Sequence, residues 1–298
     1  MIKQSYGLKY KRKENTSMRK EFTKEEVIRN KKDAIQKLNN LLECYINDPS
    51  GRHFKKANLI SYWIKDYVHL IDFEERFDPT KNISYKRGNI VKLNFGFNIG
   101  SEYGGLHYGI VLDNKNDHHS PVLTVIPLTS PKDNKPTHYN SLELGNEIYR
   151  LLKLKYDTIS KSLKDEQEEI TLALSLFETL IDLTNKSLAE VEECDSGSVD
   201  YLFKLANVKD YIEAAKKSRA MWQEQEKHNT NEQKYLDKIG AEISRMKEGS
   251  IALVNQITTV SKMRIFDPRN LKGVLSGVSL SAESMEKINQ KVKDLYIF

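Results

Sequence analysis

Residues 86–130 read KRGNIVKLNFGFNIGSEYGGLHYGIVLDNKNDHHSPVLTVIPLTS, and this stretch is more informative about the fold than any other. Six of the fourteen glycines and three of the seven histidines of the chain fall within it. Apolar runs of β type alternate with turns rich in glycine and asparagine, which predicts strands at 90–95, 108–112 and 122–128. A glycine-dense loop that joins two strands and ends in a histidine can hold a polyanionic substrate.

The composition limits the class of protein. The chain has 298 residues, of which 39% are hydrophobic and 30% charged, as expected for a modest core with long charged helices. Its apolar runs are too short to span a bilayer, and the basic N-terminus has no apolar stretch behind it, so we expect no membrane segment and no secretory signal. Cys44 and Cys194 are far apart and predict neither a disulfide framework nor a metal site. A reducing cytoplasm is the expected location.

Basic charge lies on both sides of the predicted β segment. Residues 1–33 carry eleven Lys or Arg against five Asp or Glu, and residues 249–275 carry four against one. The middle of the chain is mildly acidic. This distribution fits nucleic acid at the β segment, and it equally fits a solvated basic tail.

The N-terminal part is predicted to be helical. Residues 1–20 form an expected disordered basic tail, and helices follow within 21–80. Thr23 and Glu26 have the spacing of a capping box at the start of the first helix. A second helix is predicted near Lys55–Phe73.

The middle and the end of the chain predict an interrupted β domain. Apolar residues at spacings of three and four over 146–248, broken at Asp195–Ser198, predict an antiparallel coiled-coil hairpin, with an irregular stretch at the polar Gln223–Gln233. Strands return at Ser250–Ile257 and Thr258–Phe266. A final helix is predicted at Ala282–Tyr296 after the N-cap Ser281, within 280–298.

The β segments 84–145 and 249–275 are each too short to form a core alone. They therefore predict one small barrel into which the hairpin is inserted. The predicted class is α+β: a small β-barrel interrupted by a long helical hairpin, with a helical N-terminal extension and a C-terminal helix. The hairpin is interpreted as a self-packing pair. An alternative is that its acidic surface, or the N-terminal helices, covers a substrate groove or sets partner choice.

Several motifs, in order, carry a resemblance. They are Arg87–Val91 (RGNIV), Phe95–Gly105 (FGFNIGSEYGG), the pair His107 and Tyr108, the run Val125–Ser130, and Ser250–Val260 (SIALVNQITTV). Together they resemble the MazF/PemK family of toxin endoribonucleases, over about a quarter of the chain.

The resemblance implies a fold, a reaction and partners. The fold would be the SH3-like barrel shared by MazF and CcdB toxins. The reaction would be metal-independent cleavage of single-stranded RNA (mRNA), in which the ribose 2′-hydroxyl attacks the adjacent phosphate. No cofactor is implied. A cognate antitoxin protein and a homodimer are the implied partners of such a toxin.

The resemblance also implies catalytic residues, with one departure. His107 stands where the family has an arginine, and a histidine can act as general acid or base near neutral pH. The alternative is a structural histidine in an inactive relative. Thr129 matches the second catalytic position and would hold the phosphate or the 2′-hydroxyl, or it is a strand-end residue. Glu102 could orient His107 or act as a base, or it is merely solvated.

The remaining candidates would bind substrate. Gly104 and Gly105, with Gly100, are expected to supply positive φ and close backbone approach, which exposes amides to phosphate. Aromatic rings could stack on unpaired bases, and polar groups could line the groove. These further candidates are Ser101, Tyr103, Tyr108, Ser130 and Gln256.

Three functions stay open at this point. The first is the toxin endoribonuclease. The second is a non-catalytic barrel that binds a protein, as CcdB-type toxins poison gyrase. The third is a degenerate member of the family that serves as a scaffold. The adjacent pair His118 and His119 is interpreted as a solvated turn, since sequence neighbours rarely chelate one ion, so no metal site is predicted.

Overall fold

The computed structural model describes residues 22–132, 136–192 and 199–297, and the side chains of these except at 190–192 and 199–207. The predicted tail at 1–20, the hairpin turn at Asp195–Ser198 and Cys194 lie outside the described residues. The chain divides into two compact units between Tyr67 and Val68.

The described residues of the first unit are mainly helical, as the capping signal predicts. Helix α1 (Lys24–Ile46) begins with the predicted capping box, in which Thr23 Oγ1 accepts from Glu26 N at 3.1 Å and Glu26 Oε2 accepts from Thr23 N at 3.0 Å. Helix α2 (Phe54–Glu74) extends across the division between the units. In the turn before α2, hydrogen bonds from Ser50 and His53 lower the pKa of Asp48 to about 2.

The second unit contains the β structure. Its described elements, in chain order, are β1 (Ile90–Asn94), β2 (Leu106–Val111), β3 (Val122–Thr129), β4 (Leu142–Gly145), α3 (Glu147–Glu192), α4 (Val199–Arg245), β5 (Ser250–Ala252), β6 (Thr258–Ser261), β7 (Ile265–Asp267) and α5 (Ala282–Tyr296). All described strand pairs are antiparallel. None of the helices in the described part of the chain is long and apolar enough to cross a membrane.

The sheet combines strands from both sides of the hairpin. The strand order is β4-β5-β3-β2-β1-β7, and β6 also pairs with β3. The path β6-β3-β2-β1-β7 therefore starts and ends at strands that are joined by a single 3-10 turn, Lys262–Arg264. Because its two ends are linked so closely, this part of the sheet curls back on itself as a small barrel.

The strands are buried on both faces, because successive side chains point to opposite sides of a strand. Val91, Leu93, Val111 and Leu123 belong to one apolar cluster. A second cluster contains the strand residues Ile90, Ile110, Ile126 and Leu128, together with Ile148 and Leu152 of α3, Ile239 of α4 and Ile288 of α5. The near-continuous apolar run of β3 follows from this burial on two sides. The base of the hairpin is thus part of the same core as the sheet.

The structure corrects two expectations about regularity. The prediction of irregularity at Gln223–Gln233 is wrong, because α4 is continuous there. Gln, Glu and Lys are good helix formers in solvent, and the buried Asn229 donates to the Leu163 carbonyl of α3 at 3.3 Å. The predicted strand Ser250–Ile257 is wrong beyond Ala252, where a 3-10 turn (Val254–Gln256) places Val254 in the core. Helix α5 and its N-cap Ser281 are confirmed.

Candidate active site

The glycine-rich loop between β1 and β2 folds back on its own backbone. Gly105 N donates to Gly96 O at 2.7 Å, and Phe95 N donates to Gly105 O at 2.8 Å. Gly96, Gly100 and Gly105 have positive φ angles of 91°, 63° and 90°. Gly104 does not have positive φ, but a Cβ there would lie 2.6 Å from Gly96 O. The expected positive φ at Gly104 is therefore wrong, and the close approach of two backbone segments requires glycine instead.

Polar side chains fix the loop on both of its sides. Glu102 Oε2 accepts from Ile99 N at 3.2 Å within the loop. Gln256, which lies 153 residues away from Tyr103 in the chain, accepts from Tyr103 N at 3.2 Å through Oε1 and donates to Ser101 O at 3.3 Å through Nε2. The 3-10 turn that ends β5 early is what brings Gln256 to the loop.

Tyr103 connects the two predicted catalytic positions. Its ring lies against the imidazole of His107, with the ring centroids 4.7 Å apart and the planes tilted by 48°. The Tyr103 ring also packs against Phe95, with the ring centroids 5.5 Å apart. The Tyr103 hydroxyl donates to Leu128 O at 2.6 Å, directly before Thr129 in β3. His107, Tyr103 and Thr129 thus form one cluster at the ends of β2 and β3.

Burial sets the protonation states of this cluster. Desolvation lowers the pKa of His107 below the ordinary 6.5, so its imidazole is neutral at pH 7. Desolvation raises the pKa of Tyr103 to about 12, against a smaller opposing effect of the neighbouring Thr129. At neutral pH, the cluster therefore combines a neutral imidazole, which can accept a proton, with a protonated phenol.

A polar cleft of about 400 Å³ borders the same tyrosine. Its lining includes Phe95, Tyr103 and Glu102 from the first part of the β structure, and Gln256 and Arg264 from the part that follows the hairpin. Arg264 Nη1 donates to Phe95 O at 3.3 Å, which holds the guanidinium at the cleft. Residues 249–275 are basic, but no sequence motif singles out Arg264. Its place in the cleft depends on the 3-10 turn between β6 and β7.

Residues 86–170 match the family model described as the PemK-like, MazF-like toxin of type II toxin-antitoxin systems. This segment is therefore similar to the PemK/MazF toxin family. The match includes β1 to β4, the glycine-rich loop and the first half of α3. A search of the curated proteins found no match. The segment from β5 to β7 lies beyond the matched residues, and its two 3-10 turns supply Gln256 and Arg264 to the cleft.

Not all of the predicted site residues come together. Tyr108 follows His107 directly on β2 and therefore faces the other side of the sheet, where it packs against the core that includes the hairpin base. Its hydroxyl donates to Glu242 Oε1 of α4 at 2.5 Å, and Lys92 Nζ donates to the same oxygen at 2.5 Å. A base stacked on Tyr108 would thus lie away from the His107 cluster.

The other predicted residues lie at the rim. Glu102 lines the cleft beside Tyr103, and its described hydrogen bond is to the loop backbone. Ser101 is exposed, and its carbonyl accepts from Gln256. Ser130 is half-buried and directly follows β3. Outside this region, His118 Nε2 is hydrogen-bonded to Ser84 Oγ at 2.7 Å.

Proposed function

We propose that this PemK/MazF domain is an endoribonuclease that cleaves single-stranded RNA by metal-independent attack of the ribose 2′-hydroxyl on the adjacent phosphate. The observation that carries the proposal is the half-buried His107 imidazole in contact with Tyr103, whose hydroxyl donates to the carbonyl of Leu128, next to Thr129. The family, the neutral imidazole and the adjacent polar cleft with Arg264 all support it.

His107 is the proposed general base. The 2′-oxygen forms a bond to phosphorus while its proton passes to the neutral imidazole, and the bond from phosphorus to the 5′-oxygen breaks. The 5′-oxygen leaves in line and takes a proton from water or from a donor on the far side of the phosphorus. The products are a 2′,3′-cyclic phosphate and a 5′-hydroxyl. An arginine cannot act as this base, so the histidine changes the division of labour relative to the family.

Two further groups have supporting roles. Thr129, at the end of β3, is proposed to donate a hydrogen bond to a phosphate oxygen. Arg264 is proposed to bind a phosphate in the cleft on the far side of Tyr103, because a guanidinium offers five donors and keeps its charge at all relevant pH values. In many enzymes, fixed hydrogen-bond donors that face the charge developing in the transition state make the largest contribution to the rate enhancement.

The test uses the full-length protein and a long single-stranded RNA in the presence of EDTA. His107→Ala is expected to reduce cleavage by about 10²- to 10⁴-fold, the usual contribution of a general base. His118→Ala is the matched control, because it removes an exposed imidazole outside the cluster, and it should retain the activity. Products should end in a cyclic phosphate.

Two outcomes contradict the proposal. One is the absence of cleavage by the unaltered protein, which would favour the gyrase-poison or scaffold function of a non-catalytic barrel. The other is equal cleavage by the His107→Ala and His118→Ala variants. Growth arrest on induction, without RNA cleavage, would separate a protein-binding toxin from an inert scaffold.

The proposed biological setting is a toxin-antitoxin pair. The family indicates a toxin of a type II system, so we propose that a separate antitoxin protein neutralises this chain. We also propose that the chain forms a homodimer and acts on mRNA in the cytoplasm. Co-purification with the product of the adjacent gene, together with loss of toxicity on co-expression, is the measurement that checks the antitoxin.

A further inference from the structure

The half of the hairpin farther from the barrel carries exposed apolar side chains. Six large residues there are between 46% and 67% exposed: Leu172, Leu176, Leu180, Leu183, Tyr211 and Met221. Helices α3 and α4 contain 46 and 47 residues, so at about 1.5 Å per residue the hairpin extends roughly 70 Å. Its base is buried in the core, but the described residues of this chain do not cover the six side chains.

These residues lie in two stripes on one side of the hairpin. On α3 the exposed leucines recur at spacings of four, four and three residues, from Leu172 to Leu183. On α4, Tyr211 and Met221 lie on the same helix face as Ala214 and Ser218, at spacings of three and four residues. Between the stripes is a groove of about 490 Å³, lined entirely by residues of the two helices. The contacts between α3 and α4 use other positions, such as the buried Ile170 and Ile212. The stripes are therefore a second seam, suited to further helices.

The charges indicate which helices fit. Along the stripes themselves, residues 172–183 of α3 contain two acidic residues and no Lys or Arg, whereas residues 211–221 of α4 contain three Lys or Arg and one acidic residue. A helix pair with one acidic and one basic member is complementary to a second copy of itself. A twofold axis parallel to the helices places α3 of one copy against α4 of the other, antiparallel and with opposite net charge. The alternative twofold axis would place the acidic α3 against itself.

We propose that the distal half of the hairpin is a homodimerisation surface, on which two copies form a four-helix bundle. In this arrangement both barrels lie at the same end of the bundle. Covering the six exposed side chains in both copies removes roughly 1,000 Å² of surface, which reaches the lower limit of a stable interface before flanking residues are counted. The proposal does not depend on RNA cleavage.

Sedimentation velocity of the full-length protein over a wide range of concentrations tests the surface. The unaltered chain should be dimeric, and Leu176→Glu combined with Leu183→Glu should raise the dimer dissociation constant at least about 100-fold, because each dimer would bury four unpaired carboxylates. Both leucines are exposed, so the monomer should fold, as unchanged helical circular dichroism would show. Leu271→Glu, at a leucine that is 80% exposed outside the hairpin, is the control and should leave the dimer intact.

Two results overturn the proposal. If the protein is monomeric at all concentrations, a second copy does not cover the exposed side chains. The same conclusion holds if the protein associates only with a co-expressed antitoxin. A dimer that survives the double substitution would place the interface elsewhere, for example on the barrel.

The orientation has its own test, in a background without Cys44 and Cys194. A mixture of Leu183→Cys and Tyr211→Cys proteins should form a disulfide between the two species. Efficient cross-linking of the Leu183→Cys protein with itself would overturn the arrangement of α3 against α4.

Discussion

Glu242 provides the sharpest test of how the inserted hairpin is attached to the sheet. Its carboxylate on α4 accepts hydrogen bonds from Lys92 on β1 and Tyr108 on β2, both at 2.5 Å. The Glu242 side chain is 11% exposed and that of Lys92 is 22% exposed. Burial raises the pKa of Glu242, but the bonds from Lys92 and Tyr108 outweigh it and leave the pKa below 4.5. The group is therefore ionised at neutral pH.

Replacing Glu242 by Leu leaves the Lys92 ammonium and the Tyr108 hydroxyl without their acceptor. Removing one partner of a fully buried ion pair costs about 3–5 kcal/mol. Lys92 keeps partial access to water, which reduces the loss, so we expect the free energy of unfolding to fall by about 2–4 kcal/mol. The exposed pair of Glu224 and Lys227, at 3.3 Å, supplies the control. Glu224→Leu should change the free energy of unfolding by less than about 0.5 kcal/mol.

Urea denaturation of the Glu242→Leu variant at neutral pH measures the effect. Combining it with Lys92→Met should recover part of the loss, because the stranded charge is then removed as well. The folded pKa of Glu242 lies below its unfolded value, so the stabilisation is present above pH 4.5 and is lost as the pH falls through the folded pKa. A loss below about 1 kcal/mol, or no recovery in the double variant, would refute the reasoning.

Three further predictions concern the glycine-rich loop and His107. Gly104→Ala should reduce RNA cleavage about tenfold or more while folding is retained, because the added Cβ would lie 2.6 Å from Gly96 O and displace the loop. Cleavage assays measure the loss of activity, and thermal unfolding measures whether the fold is retained. Gln256→Ala should lower stability by about 1–2 kcal/mol and raise KM for RNA, since both hydrogen bonds that tie the loop are lost; unchanged KM would contradict this role. The cleavage rate should rise with pH to a plateau whose midpoint is below 6.5, because burial lowers the pKa of His107; a midpoint above 6.5 would exclude His107 as the base.

The parts of this fold that local sequence determines could be predicted. The capping box of Thr23 and Glu26, the N-cap Ser281 and the bounds of α5 depend on residues within four positions of each other, and all are confirmed. The strands of the glycine-rich segment were predicted to within two residues of their observed ends, because alternation and turn residues are local signals.

The parts that depend on distant contacts could not be predicted. Gln256 was selected by resemblance, but its bonds to the loop join positions 153 and 155 residues apart. Tyr108 was selected as a stacking residue, yet its partner Glu242 is 134 residues away on a helix that the PemK/MazF match does not cover. No local pattern reveals that β2 is covered by the hairpin on this face.

Because the base of the hairpin covers one face of the sheet, the choice of deletion determines whether the function of the hairpin can be tested. Removal of residues 147–247 would take the fully buried Leu152 and Ile239 out of the core, so loss of activity in that variant would report unfolding. A shorter deletion, of residues 167–225 with a tight turn in their place, keeps the hydrogen bond between Asn229 and the Leu163 carbonyl and the whole base of the hairpin. We expect this variant to keep its fold and its RNA cleavage per barrel and to lose the dimer held by the distal stripes. A change in RNA cleavage at unchanged stability would instead assign the distal hairpin a regulatory role.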